Sequence, residues 1–379
     1  MIAAALPVQR PPDARLLVID GDGAIADAPR SSLAHFLRPG DLVIANDAAT
    51  LPASLHGVHA ASGAPIELRL AGRSSFARDD LRFSAVVFGA GDWRTRTEDR
   101  PPPPPLALGD RLALGPLAAT VDGLLGHERL IVVKFEGDAD SVWAGIAWHG
   151  RPIQYAYLDR ALALWDVWTP IAALPVAFEP PSAGFALDWR FLGALRGRGV
   201  EFASITLAAG ISSTGDPALD ARLPFDEPYR IPATTASAIR RKKKRGGRIV
   251  AVGTTVVRAL EHSAGRSGEG LADQRIGPDT RLRVVDAVLS GTHEPQESHH
   301  QLLRAFQSDD VLARAGAALE VLRYRTHEFG DSVLIFSGPT VGYEPMSANP
   351  NSSRGVSHKS LRRSDALGES VSNKLSSAP

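Results

Sequence analysis

Residues 247–261 read GRIVAVGTTVVRALE. The run 248–252, Arg248 followed by the apolar, mostly β-branched residues 249–252, has the composition of a strand, and Gly253-Thr254-Thr255 separates it from a helix that carries Arg258 and Glu261. A glycine and two hydroxyls ahead of a helix offer backbone N–H groups and the positive end of the helix dipole to an anion. The alternative is that Thr254 only caps the helix.

Upstream, residues 233–245 read as a helix stopped by Gly246-Gly247, preceded by a strand at 202–207 and a helix at 190–198 that ends on Gly199. Alternation of this kind implies a mainly parallel sheet with helices on its faces. Near the start, RLLVID (15–20) is a strand stopped by Gly21-Asp22-Gly23. That G-D-G lacks the further glycine and the following helix of a phosphate loop, so a hairpin turn is expected. A short helix over 31–37, capped by Ser31 or Ser32, and a buried strand over 41–46 follow.

From 61 to 149 the pattern changes to short alternating runs cut by glycine and proline, such as IELRL (66–70) and LIVVKF (130–135), which predicts a small antiparallel barrel. Pro101–Pro105 reads as a stiff polyproline II connection, or as a ligand for a proline-binding module. The fold class expected is therefore α/β, a mainly parallel domain built from 1–60 and 150–337 with a small β-barrel, 61–149, inserted into it. Residues 338–379, rich in Ser, Asn and Arg, are expected to be a disordered tail.

Composition narrows the classes further. The 379 residues hold 42 Lys plus Arg against 42 Asp plus Glu, so a nucleic-acid partner must be met by a local patch. The strongest is RRKKKR, Arg240, Arg241, Lys242, Lys243, Lys244 and Arg245, which reads either as contact with RNA phosphates or as a solvated helix end complementing the dipole. Cysteine is absent, which excludes disulfides, thiolate nucleophiles and cysteine-ligated metals. The apolar run at 2–6 has no basic residues before it and is not expected to be a signal peptide, and nothing approaches the ~20 apolar residues of a membrane-spanning helix. A soluble cytoplasmic protein is expected.

Five segments, in order, carry a family resemblance. GDLVIAND (40–47) continues into LPA with Leu55 and Gly57; PSAG occupies 181–184; GRIVAVGTTVVRALE occupies 247–261; His293-x-Pro295 precedes Ala305-Phe306; and Tyr324-Arg325 precedes Phe329-Gly330-Asp331. Together they resemble the S-adenosylmethionine:tRNA ribosyltransferase-isomerases of queuosine biosynthesis over nearly the whole chain. Three histidines of that pattern are replaced here, by Ala186, by Ala208 and by Phe225. The chain has instead its own polar set, His293, Glu294, Glu297, His299, His300, His327, Glu328 and Asp331, as in a divergent branch of the family.

The resemblance implies transfer and isomerisation of the ribosyl part of S-adenosylmethionine onto 7-aminomethyl-7-deazaguanine in tRNA, with release of adenine and methionine and without metal or redox cofactor. It implies substrate-binding roles for Asn46, Asp47, Ser182, Gly184, Gly253, Thr254, Thr255, Arg258 and Tyr324, with Arg258 facing the methionine carboxylate. His293, His299 and His327, of the residue type that ordinarily changes charge near physiological pH, and Asp331 are the expected catalytic groups. A zinc site at His293, His299 and His300 is the competing reading, although the H-E-x-x-H spacing is missing. A monomer is expected. The alternative function is a paralogue of the same fold that modifies or binds another nucleoside-like small molecule.

Overall fold

The computed structural model describes residues 1–338 apart from 212, 213, 215, 224 and 293–297. The strand-turn-helix reading of 247–261 is realised at its centre. Strand β1 (Arg15–Ile19) turns through Asp20, whose carboxylate accepts from the N–H groups of Asp22 (3.0 Å) and Ala24 (2.9 Å), into β2 (Ile25–Pro29). Gly23, at φ 78°, takes the left-handed position that the hairpin needs. After a 3₁₀ turn, Arg30–Phe36, comes β3 (Leu42–Asn46).

The chain then leaves for six strands that close into a barrel: β4 (Ser54–His59), β5 (Pro65–Gly72), β6 (Arg82–Phe88), β7 (Arg111–Leu114), β8 (Leu117–His127) and β9 (Leu130–Phe135). The barrel begins at Ser54, a few residues before the expected boundary, because Gly57 lies against Ala113: a Cβ there would fall 2.0 Å from the Ala113 carbonyl oxygen. Helix α1 (Ala139–His149), capped by Asp138, brings the chain back, and Ser54 bridges to Arg151 where it returns.

The remainder supplies α2 (Leu164–Val167), α3 (Trp189–Gly197), β10 (Glu201–Leu207), β11 (Glu227–Ile231), α4 (Ala233–Lys244), β12 (Ile249–Val252), α5 (Thr254–Ser263), β13 (Gly268–Ala272), β14 (Ala287–Gly291), the helices α6 (Ser298–Leu303) and α7 (Asp309–Val321), and β15 (Ser332–Phe336). The sheet order is β13-β11-β10-β3-β12-β14-β15-β1-β2. The ladders joining β10, β3, β12 and β14 are parallel, while both margins carry antiparallel strands. All four parallel strands therefore present their carboxyl ends at one edge, which is where sites collect in open α/β sheets. One apolar cluster runs from the sheet through the barrel, joining Leu42, Ile44 and Val256 to Leu68, Phe83 and Phe135, so barrel and sheet belong to one compact unit, Met1–Thr340. The expected disordered tail lies outside the described residues.

Candidate active site

At the carboxyl edge, Gly253 occupies the N-cap position of α5 at φ 99° and offers no side-chain cap. Thr254 is one residue inside the helix and buried, so the reading of Thr254 as the cap is corrected. The first-turn N–H groups of α5 are left for another acceptor. The Pro181-Ser182-Ala183-Gly184 turn packs over them: a Cβ placed on Gly253 would lie 3.7 Å from that of Ala183. Gly184 is itself held by packing, since a Cβ there would meet the Thr169 side chain at 2.9 Å.

Immediately before this turn, Glu179 and Pro180 line a small cavity of about 10 Å³ with Tyr155, Tyr157, Glu328 and Phe329. That is room for one water-sized body. The Tyr155 hydroxyl donates to Glu179 and the Tyr157 hydroxyl donates to Glu328. The rings of Tyr155 and Tyr157 stack at 6.1 Å, and His327 stacks on Tyr157 at 4.1 Å. From the barrel side the Arg69 guanidinium lies 5.5 Å over Tyr155, so the cavity sits at the joint between barrel and sheet. Arg69 is itself fixed by Glu67; burial would raise the Glu67 carboxyl, but Arg69 and Arg100 outweigh it and hold it at about 2.

Burial pushes the Glu328 carboxyl up to about 7, and burial together with the neighbouring Glu179 pushes the Tyr155 hydroxyl well above its ordinary range. Tyr155 thus stays a donor, while Glu328 exchanges a proton near neutrality. Its position follows from the segment 327–331. His327 takes a left-handed φ of 68°; Phe329 stacks on Phe185 at 5.3 Å; and a Cβ on Gly330 would lie 2.4 Å from the Arg325 carbonyl oxygen.

Several expected site residues are drawn elsewhere. Asp331 accepts from the N–H groups of Arg15 and Arg325, both at 2.8 Å, and from the Arg325 guanidinium at 3.0 Å, so it is placed as a buried latch between strands and away from the cavity lining. Tyr324 is fully buried, with its hydroxyl donating to Asp27 and the Arg15 guanidinium 4.6 Å over its ring; no face is left for a substrate. Asn46 spends its amide on Leu207 N–H and C=O, both at 2.9 Å, and on Ala48 N–H at 3.0 Å, stitching β3 to β10. Arg258 is engaged inside the fold as well. It is buried, paired with Glu227, and donates to the Ala272 carbonyl at 2.9 Å, so its charge is neutralised inside. Burial raises the Glu227 carboxyl against the pull of Arg258.

Asp47 accepts from Ser204 (2.7 Å) and Thr206 (2.6 Å) and stays half-buried at the edge. His299 is on α6 with His300, apart from the cavity lining. His293, with Glu294 and Glu297, lies outside the described residues; β14, which precedes it, ends at the same carboxyl edge. Among the described residues no three His, Cys, Asp or Glu side chains form a group able to hold a metal, and no helix is long and apolar enough to cross a membrane.

The basic run lies at the opposite edge. Arg241 (2.7 Å) and Lys242 (3.0 Å) pair with Glu201 at the start of β10, and Lys243 (2.9 Å) pairs with Asp286 just before β14. Arg240 bonds Ser237 at 3.0 Å, and Lys244 and Arg245 are exposed. Half the run is thus paired with carboxylates at the amino ends of the strands, and Lys244 and Arg245 are the cations left for RNA phosphates.

The queuosine biosynthesis protein model matches residues 1–335. The chain belongs to that family. It is 35% identical over 351 residues to the S-adenosylmethionine:tRNA ribosyltransferase-isomerase of Citrifermentans bemidjiense, covering 88% of this chain and 96% of the relative. It is 33% identical to the protein of that name from Azoarcus sp., covering 88% and 94%. A crystal structure of an S-adenosylmethionine tRNA ribosyltransferase from Thermotoga maritima is 25% identical, covers 88% of this chain and 96% of its own, and superposes with a TM-score of 0.47.

Within this queuosine-family fold, the three replaced histidines have given way to packing. Ala208 is buried, with its N–H on the Pro228 carbonyl at 3.0 Å; Phe225 lies over Gly72; Ala186 packs against the apolar cluster beneath the sheet. The residues that the sequence reading missed are Tyr155, Tyr157 and Glu179. One signal was available: two of the chain's five tyrosines fall within three residues of each other.

Proposed function

We propose that the chain is an S-adenosylmethionine:tRNA ribosyltransferase-isomerase, acting on 7-aminomethyl-7-deazaguanine in tRNA and releasing adenine and methionine. The observation that carries this is the match along essentially the full length of relatives bearing that name.

The site's chemistry agrees with such a reaction. The sulfonium of the donor acidifies the adjacent C5′ proton, and a carboxylate that titrates near neutrality can take it. Glu328, with Tyr157 donating to it, is our choice of base. His327, stacked on Tyr157, presents the one imidazole at this place among the described residues. The uncapped first turn of α5, at Gly253, Thr254 and Thr255, is set to receive the donor's carboxylate in place of Arg258. Asp47 and Ser182 flank that turn as partners for ribose hydroxyls. The enclosed space of about 10 Å³ requires the aromatic ladder to part before a nucleoside enters.

We further propose that the enzyme works as a cytoplasmic monomer with no metal or redox cofactor, S-adenosylmethionine being a substrate. Purified protein should release adenine from S-adenosylmethionine when given tRNA carrying the aminomethyl base, with EDTA present or absent. Absence of adenine release with that tRNA would overturn the reading and favour the paralogue acting on another nucleoside. Light scattering during gel filtration tests the monomer.

A further inference from the structure

Outside the cavity, the chain carries an open groove of about 650 Å³ between its N-terminal segment, α2 and the start of α3. Three indoles line it, and each is more exposed than a residue of its size usually is: Trp165 at 76%, Trp189 at 75% and Trp168 at 41%. Trp168 is pinned, its Nε1 donating to the Thr50 carbonyl at 2.9 Å. Trp165 and Trp189 hold their rings into solvent.

The groove is at the reacting edge. Helix α3 ends by Gly199, whose carbonyl receives the Gly40 N–H at the amino ends of the strands, so Trp189 at its start stands at their carboxyl ends. The segment 162–168, which contains α2, is the wall shared with the cavity: Leu162 and Val167 line the cavity with Tyr157 and Glu328, and Trp165 and Trp168 line the groove. The acids present are already engaged. Asp166 is held by Arg160 at 2.8 and 2.9 Å, and Asp188 caps α3 through the Phe191 N–H at 2.5 Å. Arg10 is exposed as a residue, and its guanidinium donates to the Gln9 side chain at 2.8 Å and to the Leu187 carbonyl at 3.4 Å.

We infer that this groove seats unpaired bases of the RNA substrate that flank the reacting nucleotide, stacked on Trp165 and Trp189. The inference rests on the proposed function. An RNA loop has to be splayed to bring a base into an interior cavity, and its neighbours then need π faces to replace the stacking lost. The indoles stand apart among Gln9, Arg10 and Asp188 rather than forming a continuous apolar patch, which suits separate bases better than the packed core of a protein interface.

The test uses the full chain and tRNA carrying the aminomethyl base. Changing Trp165→Ala or Trp189→Ala should weaken RNA binding by roughly 5- to 150-fold for each stacked base lost. The slope of log affinity against log salt should hold, since no phosphate contact is removed. Donor binding measured without RNA should be unchanged, and Trp165→Phe with Trp189→Phe, which keep a π face, should restore most of the RNA affinity. Unchanged RNA affinity in the alanine variants, a changed salt slope, no rescue by phenylalanine, or a parent dimer that the alanine variants dissolve would overturn the groove assignment while leaving the function standing. Failure of the parent itself to bind the RNA or release adenine would sink the functional reading, and the groove assignment with it.

Discussion

Replacing Glu328 by glutamine removes the proton exchange at the cavity while keeping an oxygen that can accept from the Tyr157 hydroxyl. In the folded chain the Glu328 carboxyl is raised from 4.5 to about 7. Below about pH 4.5 it is protonated in both folded and unfolded chains and costs nothing. As pH climbs from there to 7, the unfolded chain ionises freely and the folded one resists, so stability is lost across that window and levels off above it. The full rise corresponds to about 3 kcal/mol, and because the residue is half-buried solvent screening brings this to roughly 1 to 2 kcal/mol. With unfolding entropy near 2.1 cal/mol/K per residue, a chain of this size moves by about 1.5 °C per kcal/mol. Glu328→Gln should therefore melt about 1.5 to 3 °C above the parent at pH 8 and within about 0.5 °C of it at pH 4.5 by calorimetry. As the base, its loss should lower adenine release roughly 10²- to 10⁴-fold and abolish the rise in rate that the parent shows as pH passes 7. A melting difference equal at both pH values, or parental turnover with the parental pH profile, would refute the assignment.

Three further outcomes are expected. Arg258→Met strands Glu227 in the interior and should cost about 3 to 5 kcal/mol in urea unfolding, with Glu227→Gln added to it recovering much of the loss; a variant as stable as the parent but weaker in donor binding would return Arg258 to the substrate. Lys244→Gln with Arg245→Gln, at the far edge of the sheet, should leave the salt slope of RNA binding unchanged, whereas a drop of about 1.4 to 1.8 would place two phosphates there. Asn46→Ala removes three interior hydrogen bonds and should cost roughly 2 to 4 kcal/mol, read as a lower urea midpoint at unchanged slope; parental stability would show that the stitch between β3 and β10 is dispensable.

How far the site was legible depended on whether a residue's partners are local. The strands, the helices, the hairpin at Gly23 and the barrel followed from apolar periodicity and turn residues within short windows, and the anion-ready turn at Gly253 was visible because strand, glycine and helix are consecutive. The family pattern ordered the same segments along the chain. Sequence also singled out His327 and Glu328, but nothing in it said which of the polar residues nearby would be free to act.

That choice was made by the tertiary structure. Asp331, Tyr324, Asn46 and Arg258 have the same chemistry as site residues, yet each meets a partner 6 to 316 positions away, such as Arg325 and Arg15 for Asp331 and Glu227 for Arg258. Those partners use up their charge or hydrogen bonds inside the fold. Tyr155, Tyr157 and Glu179 became a site for the converse reason. The barrel and the sheet close around them, and it is chiefly the removal of solvent at that joint that keeps the Tyr155 hydroxyl protonated and lifts Glu328 to about 7.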